Sequence, residues 1–281
     1  MELYTTISSL KEALRVWRTK GLTIGFVPTM GALHEGHLSL VEKAGVLCDI
    51  VVVSIFVNPT QFNDPSDLAN YPRTLESDMK LLSGKHCDCV FSPLVAEIYP
   101  VPDNRRFDFG NLETVMEGRF RPGHFNGVAQ VVSKLFEIVE PDKAFFGQKD
   151  FQQLAIVKEL VRQMKYPIDI VPCEIIRESD GLAMSSRNRL LLPQYRECAP
   201  LIYKTLIEAS MLARTKSVDQ VKEYVTNQIN NSNLLVVEYF ELVDERYLSP
   251  IESWDAPGGK IGCIAVFAGK IRLIDNIIFD I

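Results

Sequence analysis

Several hallmarks of special protein classes are missing from the sequence. No apolar run approaches the length of a membrane span, and residues 1–22 carry charged side chains throughout, without the apolar core of a signal peptide. The six cysteines are scattered, and the one close pair, Cys87 and Cys89, is spaced too tightly for the usual zinc ligands. We therefore expect a cytoplasmic protein with no membrane partner and with reduced, mostly structural thiols.

An excess of positive charge is also missing. The 30 Lys and Arg residues are outnumbered by 36 Asp and Glu residues, for a formal net charge of −6. Such a chain has no global basic field to hold nucleic acid, so we expect no nucleic-acid partner, and any anion site must be local. No Gly-x-x-x-x-Gly-Lys-[Ser/Thr] loop is present, which excludes a P-loop ATPase. No Gly-x-Gly-x-x-Gly follows a predicted strand, which argues against a dinucleotide-dependent dehydrogenase.

Apolar patterning predicts strands that alternate with helices in the first part of the chain. The 281 residues are enough for one large domain or two unequal ones. Residues 49–57 form a nearly unbroken β-branched run, typical of a strand buried on both faces of a parallel sheet, and a helix separates it from the apolar run 22–27. Further strands are predicted at 89–91, 143–146 and 168–176. The pattern indicates βαβ units and a parallel sheet.

The composition changes near residue 177. The remaining chain is predicted to form two helices and three strands, at 195–216, 218–229, 235–243, 261–267 and 270–274. We predict an α/β fold with a Rossmann-like parallel sheet over residues 1–176 and a smaller C-terminal α+β domain over residues 177–281. Since the smaller domain carries no concentrated cluster of reactive groups, we interpret it as a lid.

The most informative stretch is a strand-to-helix junction at residues 27–37. The apolar run ends in Pro28 and Thr29, Gly31 opens a turn, and a helix begins at about His34. The free N–H groups and the dipole of a helix start attract anions, and His34 and His37 share one face of its first turn. Two imidazoles at this place can donate hydrogen bonds to phosphate oxygens near neutral pH.

Other interpretations of the two histidines are weaker. A single histidine near a helix start is more often a capping or surface residue, but two at this spacing favour anion chemistry. A zinc protease helix needs His-Glu-x-x-His and a third ligand, whereas this chain has His34-Glu35-Gly36-His37. No metal site formed by protein side chains is therefore expected.

Three further segments bring polar side chains to the same edge of the predicted sheet. Ligands bind beyond the carboxyl ends of parallel strands, and Gln61 follows the second strand, as a polar anchor or as a solvated loop amide. Lys149 is a compact cation that can reach a phosphate, and Gln153 lies one turn into the next helix. Residues 185–187 offer two hydroxyls and a guanidinium, either as phosphate ligands or as a helix-capping loop.

Five motifs together resemble those of the pantoate–β-alanine ligase family. They are PTMGALHEGH at 28–37, FVNPTQF at 56–62, RPGHF at 121–125, GQKDFQQ at 147–153 and DGLAMSSRN at 180–188. The resemblance implies a fold related to the nucleotidylyltransferases and the class I aminoacyl-tRNA synthetases. The His-x-x-His and Lys-Met-Ser-Lys-Ser signatures of those enzymes correspond to His34 and His37 and to residues 184–187 of this chain.

The resemblance also implies an activity. An enzyme of this family would condense (R)-pantoate with β-alanine to pantothenate, in the biosynthesis of vitamin B5 and coenzyme A. ATP and Mg²⁺ would take part, pantoyl adenylate would form as an intermediate, and AMP and pyrophosphate would be released. The family further implies a homodimer formed mainly by the first domain.

Site residues follow from the motifs position by position. ATP would be bound by Met30, Gly31, Ala32, Leu33, His34, Glu35, Gly36, His37, Gly147, Gln148, Lys149, Asp150, Ile176, Met184, Ser185, Ser186 and Arg187. Pantoate would be bound by Gln61 and Gln153, and β-alanine by Gln61. His37, His34 and Lys149 would be catalytic, and we interpret His37 chiefly as an electrostatic stabiliser because pyrophosphate leaves readily with Mg²⁺ bound.

Two rival functions use the same residues. A nucleotidylyltransferase would transfer the nucleotide to a phosphorylated substrate and stop there, without consuming β-alanine. A nucleotide sensor would bind ATP without releasing pyrophosphate, and it would have no need for the histidines, Lys149 and residues 185–187 as stabilisers of a leaving group.

Overall fold

A six-stranded parallel sheet forms the centre of the first part of the chain. The computed structural model describes residues 1–63 and 65–281. Strands β1 to β6 span Glu2–Tyr4, Ile24–Thr29, Ile50–Ile55, Cys89–Phe91, Lys143–Gly147 and Asp169–Cys173. The spatial order is β1-β4-β3-β2-β5-β6, and every pairing is parallel. The order therefore reverses between β2 and β5, which is where an open parallel sheet forms a ligand crevice.

Helices cover both faces of this sheet. Helices α1 to α8 span Ile7–Thr19, Glu35–Leu47, Pro65–Asn70, Leu75–Leu82, Val95–Ile98, Met116–Phe120, His124–Val139 and Phe151–Met164. One face of β2 and β3 buries Phe26 and Val52 against α1, α7 and α8, while the other buries Val27 and Val53 against α2 and α4. Because both faces are covered, β3 is buried at every position and apolar at all but Ser54, as its nearly unbroken β-branched run predicts.

Strand β2 ends where the sequence indicates, at Thr29, after Pro28. Pro28 lies beside Ser54 of β3. On its other side β2 pairs with β5 only at Gly25 and Phe26. A proline has no N–H to donate to a neighbouring strand, and at Pro28 no such neighbour exists on the β5 side. The gap left there opens the crevice.

A three-stranded antiparallel sheet with its own helices forms the rest of the chain. Helices α9 to α11 span Pro193–Cys198, Leu201–Leu212 and Val218–Asn230, and strands β7 to β9 span Leu235–Asp244, Lys260–Ala268 and Ile271–Phe279, in the order β7-β8-β9. The prediction of one helix over 195–216 is wrong, since Pro200 separates α9 from α10. A proline lacks the N–H that a continuing helix requires.

The predicted fold class is confirmed, because an α/β unit with a parallel sheet is followed by a smaller C-terminal α+β unit. The division at residues 176 and 177 stays a prediction. No helix of the described residues is long and apolar enough to span a membrane.

Candidate active site

A crevice of about 230 Å³ lies at the carboxyl ends of β2 and β5. The predicted site residues that line it are Met30, His34, Gly36, His37, Gln61, Gly147, Lys149, Asp150, Gln153, Ile176, Met184, Ser185, Ser186 and Arg187. A wider cleft of about 820 Å³ adjoins it, between the parallel sheet and the C-terminal sheet. Both are lined by Lys149, Asp150, Gln153, Ser185 and Arg187, so these residues stand where the two spaces meet.

His34 caps the helix that carries His37. It is the N-cap of α2, and its Nδ1 accepts a hydrogen bond of 3.2 Å from the backbone N–H of Gly36. The proton of the neutral ring is therefore on Nε2, which leaves that N–H available as a donor. Burial, followed by the charges of Lys149 and Arg189, lowers the pKa of His34 to about 4. The ring is thus neutral near pH 7.

The ring of His37 contacts that of His34 deeper in the crevice. The two ring centroids lie 4.1 Å apart, with an angle of 40° between the planes. Nδ1 of His37 is buried, and it has no hydrogen-bond partner in the part of the chain that the structure describes. Burial is the largest cause that lowers the pKa of His37 to about 3, and His34 and Lys149 add to it. Both imidazoles therefore meet an incoming anion as neutral hydrogen-bonding groups.

The loop between β2 and α2 is held by a buried carboxylate. Oδ2 of Asp78 accepts from the backbone N–H of Ala32 at 3.0 Å, and its Oδ1 accepts from that of Leu33 at 2.8 Å. The hydroxyl of Thr74 donates to the same carboxylate. Gly31 has a φ of +82° and faces Asp78. The N–H groups of this loop are consequently used inside the protein.

Five residues predicted from the motifs lie outside the wall of the crevice. They are Gly31, Ala32, Leu33, Glu35 and Gln148. The side chains of Ala32 and Leu33 are buried in the core, and Glu35 is exposed on the outer side of the α2 start. Sequence reasoning missed Asp78, because a lone acidic residue within α4 gives no signal that it contacts a loop 45 residues earlier.

Gln61 is a fixed polar group and not a solvated loop amide. Its side chain is only 8% exposed, its Oε1 accepts from Nδ2 of Asn58 at 3.1 Å, and its Nε2 points to Sδ of Met30 at 3.2 Å. Asn58 is held in turn by the hydroxyl of Tyr99 and by the carbonyl of Gly127. Asn58 belongs to the amide-rich segment after β3, but the sequence alone does not single it out as the residue that orients Gln61.

His124 holds the backbone of Gln61 through a hydrogen bond. Its Nδ1 donates to the backbone carbonyl of Gln61 at 2.8 Å, and the side chain is 6% exposed. Burial, followed by the charge of Arg121, lowers the pKa of His124 to about 4. We call His34, His37 and His124 the three low-pKa histidines.

Cationic side chains face the histidines across the crevice. Lys149 lies in a 3-10 turn, Gln148–Asp150, directly after β5. Within residues 1–63 and 65–281, no side chain accepts a hydrogen bond from its ammonium group. Ser185 caps a second 3-10 turn, Ser186–Leu190, by accepting from the N–H of Arg187 at 3.2 Å. The capping interpretation of residues 185–187 is thus correct, the same residues line the crevice, and their role as phosphate ligands stays a prediction.

Fold and site together define an α/β protein with an anion-binding crevice at the point where the strand order of a parallel sheet reverses. The pantoate–β-alanine ligase family matches residues 2–278. A pantothenate synthetase of Porphyromonas gingivalis is 52% identical over 280 residues, which cover 100% of both chains. The chain belongs to the pantoate–β-alanine ligase family, and it is an enzyme of that family, a ligase of pantothenate biosynthesis. The resemblance seen in the five motifs is confirmed.

Solved structures agree with this assignment. The crystal structure of pantothenate synthetase from Thermus thermophilus has a TM-score of 0.92 at 40% identity, with 99% of each chain covered. A pantoate–β-alanine ligase from Francisella tularensis, whose crystal structure is a complex with beta-gamma ATP and β-alanine, has a TM-score of 0.84 at 35% identity. That comparison covers 100% of this chain and 98% of the other.

Proposed function

We propose that this enzyme condenses pantoate with β-alanine in two steps, with pantoyl adenylate as the intermediate. In the first step a carboxylate oxygen of pantoate attacks the α-phosphorus of ATP, and the bond to the bridging oxygen breaks as pyrophosphate leaves. In the second, the amine of β-alanine attacks the acyl carbon, AMP leaves and a proton is released. The observation that carries the proposal is the pair of contacting histidine rings in one crevice with Lys149 and the buried Gln61.

Electrostatics supports the first step. Pantoate and ATP are both anions, so their approach to bonding distance requires compensating charge and hydrogen-bond donors. Lys149 and Arg187 supply fixed positive charge, and Nε2–H of His34 supplies a donor that needs no prior proton uptake. Because His34 is held by Gly36 and His37 is packed against the His34 ring, neither ring has to reorganise as charge develops on the pyrophosphate oxygens.

The neutral amides support the binding of pantoate. Gln61 and Gln153 line the same crevice as the cations and carry no charge of their own. Neutral groups can orient a hydroxy acid without neutralising the carboxylate, which must remain nucleophilic. We propose that both amides bind pantoate and that Gln61 also contacts β-alanine in the second step.

Mg²⁺ would enter with ATP. The described residues contain no group of three His, Cys, Asp or Glu side chains able to hold a metal, so phosphate oxygens would supply most of its ligands. The carboxylate of Asp150, exposed at the mouth of the crevice, could supply one. When bound, Mg²⁺ neutralises charge on the departing pyrophosphate.

The family resemblance supports three further proposals. Residues 1–176 act as the ATP- and pantoate-binding domain, and residues 177–281 act as a lid. The enzyme is a homodimer. It works in the cytoplasm. Sedimentation equilibrium of the purified chain tests the dimer, since a monomer mass at micromolar concentration contradicts it.

Product analysis tests the activity. Incubation with ATP, Mg²⁺, pantoate and β-alanine should yield AMP, pyrophosphate and pantothenate in equal amounts. ADP and phosphate would place the attack at the γ-phosphorus and refute the adenylate. Pyrophosphate release without consumption of β-alanine would support a nucleotidylyltransferase, and ATP binding without release of pyrophosphate would support a sensor.

A further inference from the structure

The side chain of Asn276, in the C-terminal sheet, is hydrogen-bonded to the turn that carries Lys149. Asn276 lies on β9 and is 5% exposed. Its Nδ2 donates to the carbonyl of Gln148 at 2.9 Å and to the carbonyl of Lys149 at 3.0 Å, so both amide hydrogens are used. These two carbonyls belong to the short turn that leads directly into α8. The backbone on both sides of the Lys149 peptide is therefore fixed from the second sheet.

Asp275, the preceding residue of β9, binds Arg177 at the base of the segment that contains residues 185–187. The carboxylate of Asp275 forms a two-point ion pair with Arg177, with distances of 2.7 and 3.0 Å, and it is 5% exposed. Arg177 also donates to the carbonyl of Gly181, and its guanidinium lies 3.5 Å from the ring centroid of Tyr203. Such a pair, stacked and bidentate, allows little freedom to the backbone at Arg177.

Arg177 begins the segment that ends in the polar residues 185–187. Its backbone forms an antiparallel bridge with Ala183, and Met184 donates to the carbonyl of Ile176. The segment is thus a folded-back loop with Arg177 at its base. Lys149, Ser185 and Asp275 line one small cavity, so β9 reaches the place where the two cationic segments come together.

We infer that Asn276 and Asp275 are positioning residues through which β9 sets the distance between Lys149 and residues 185–187. A cation placed on one strand end and a hydroxyl cluster placed on a separate loop can act on one anion only if their separation is fixed. Among the described residues, no hydrogen bond between the Lys149 turn and residues 185–187 fixes this separation. Adjacent residues of β9 bind both segments. The inference rests on the proposed function for its kinetic readout.

Two variants of Asn276 test the inference. Asn276→Ala removes both hydrogen bonds, and Asn276→Leu removes them while nearly keeping the volume. Each should lower the rate of adenylate formation by about 10- to 10²-fold, which is the cost of misplacing a catalytic group by up to 1 Å. Turnover of preformed pantoyl adenylate, which releases no pyrophosphate, should stay within about twofold of the wild-type rate.

A matched control separates positioning from general loosening. Asn230 also lies in the C-terminal part, and its Oδ1 accepts from the N–H of Val237 at 2.9 Å. Asn230→Ala should leave both half-reactions within about twofold of normal, even if it lowers the urea midpoint as much as Asn276→Ala does. Equal losses in both half-reactions for Asn276→Ala, or a matching loss for Asn230→Ala, would overturn the inference.

A double-mutant cycle identifies the group on which Asn276 acts. In the Lys149→Ala background, Asn276→Ala should change the rate of adenylate formation by less than about twofold, because the cation to be positioned is gone. Full additivity contradicts positioning of Lys149. Binding of inorganic pyrophosphate, measured by calorimetry, should show the same non-additive pattern. This measurement needs no turnover, so it tests the positioning even if the wild type forms no AMP, an outcome that refutes the proposed function alone.

Discussion

Replacement of Gly36 by alanine should displace His34 and leave the fold intact. A Cβ at this position would lie 2.9 Å from both Cε1 and Nδ1 of the His34 ring. Carbon atoms in ordinary contact are about 3.5 to 4 Å apart, so the ring must move by roughly 0.5 to 1 Å. This movement breaks the hydrogen bond of 3.2 Å from the N–H of Gly36 to Nδ1. The ring then loses both its place and its fixed tautomer.

The stability of the Gly36→Ala variant should change little, because two effects oppose each other. Loss of the side-chain cap of α2 costs about 1 kcal/mol. Alanine in place of glycine inside a helix contributes about 1 kcal/mol in the other direction. The activity has no such compensation, and a donor misplaced by up to 1 Å should lower kcat by about 10- to 10²-fold.

The assay combines pantothenate formation with urea unfolding. The expected result is a large loss of kcat with an unchanged unfolding midpoint. In addition, the double variant His34→Ala, Gly36→Ala should be no slower than His34→Ala alone, because the methyl group acts only through the ring. A normal kcat would show that the place of His34 is unimportant, and a double variant much slower than His34→Ala would show that the methyl group blocks a substrate.

Three other outcomes are expected. Lys149→Ala should slow adenylate formation by roughly 10²- to 10³-fold, by analogy with the loss of one oxyanion donor. In single-turnover experiments the same variant should turn over preformed pantoyl adenylate at nearly the normal rate. Equal damage to both steps contradicts a role at the leaving group. Gln61→Ala and Gln153→Ala should weaken pantoate binding by about 0.5 to 1.5 kcal/mol each and ATP binding far less, as calorimetry can test, and equal losses for both ligands contradict the assignment. The three low-pKa histidines have pKa values of about 4, 3 and 4 when folded, below the ordinary 6.5, so the unfolded chain binds more protons and stability falls as the pH drops from 6.5 towards 4. Unfolding at pH 5.5 should take up about two to three protons, measured calorimetrically in buffers of different ionisation enthalpy, and an uptake near zero would contradict the neutral rings.

The fold could be predicted well because its signals are local. The nearly unbroken apolar run in β3 follows from burial on both faces, and the helix after β2 begins at Glu35 with His34 as its N-cap, within one residue of the predicted start. The errors lie where tertiary contacts decide the outcome. Strand β9 extends to Phe279, beyond the predicted 274, because β8 pairs with it along its whole length.

In the candidate site, too, local signals could be predicted from the sequence and tertiary contacts could not. Side chains that face the crevice, such as His37 and Lys149, belong to compact motifs and could be found in the sequence. The residues that hold them could not, because their partners are distant in the chain. Asp78 binds a loop 45 residues earlier, and Asn276 binds a turn 127 residues earlier. Only the folded chain brings such pairs together.

The residues that support the crevice from behind are buried and hydrogen-bonded to the backbone, and this distinguishes them from the residues that face the substrate. Asp78, Asn58, His124 and Asn276 are at most 6% exposed, and each is hydrogen-bonded to a backbone group of a segment that lines the crevice or leads into it. Removal of such a side chain breaks these hydrogen bonds, at a cost of about 0.5 to 1.5 kcal/mol each, or of about 1 to 3 kcal/mol where a buried backbone group is left unpaired. A residue such as Lys149 has no protein partner within the described chain to abandon, so its loss affects the reaction and not the fold. Stability and activity should therefore fall together for the supporting residues, and activity alone should fall for those that face the substrate.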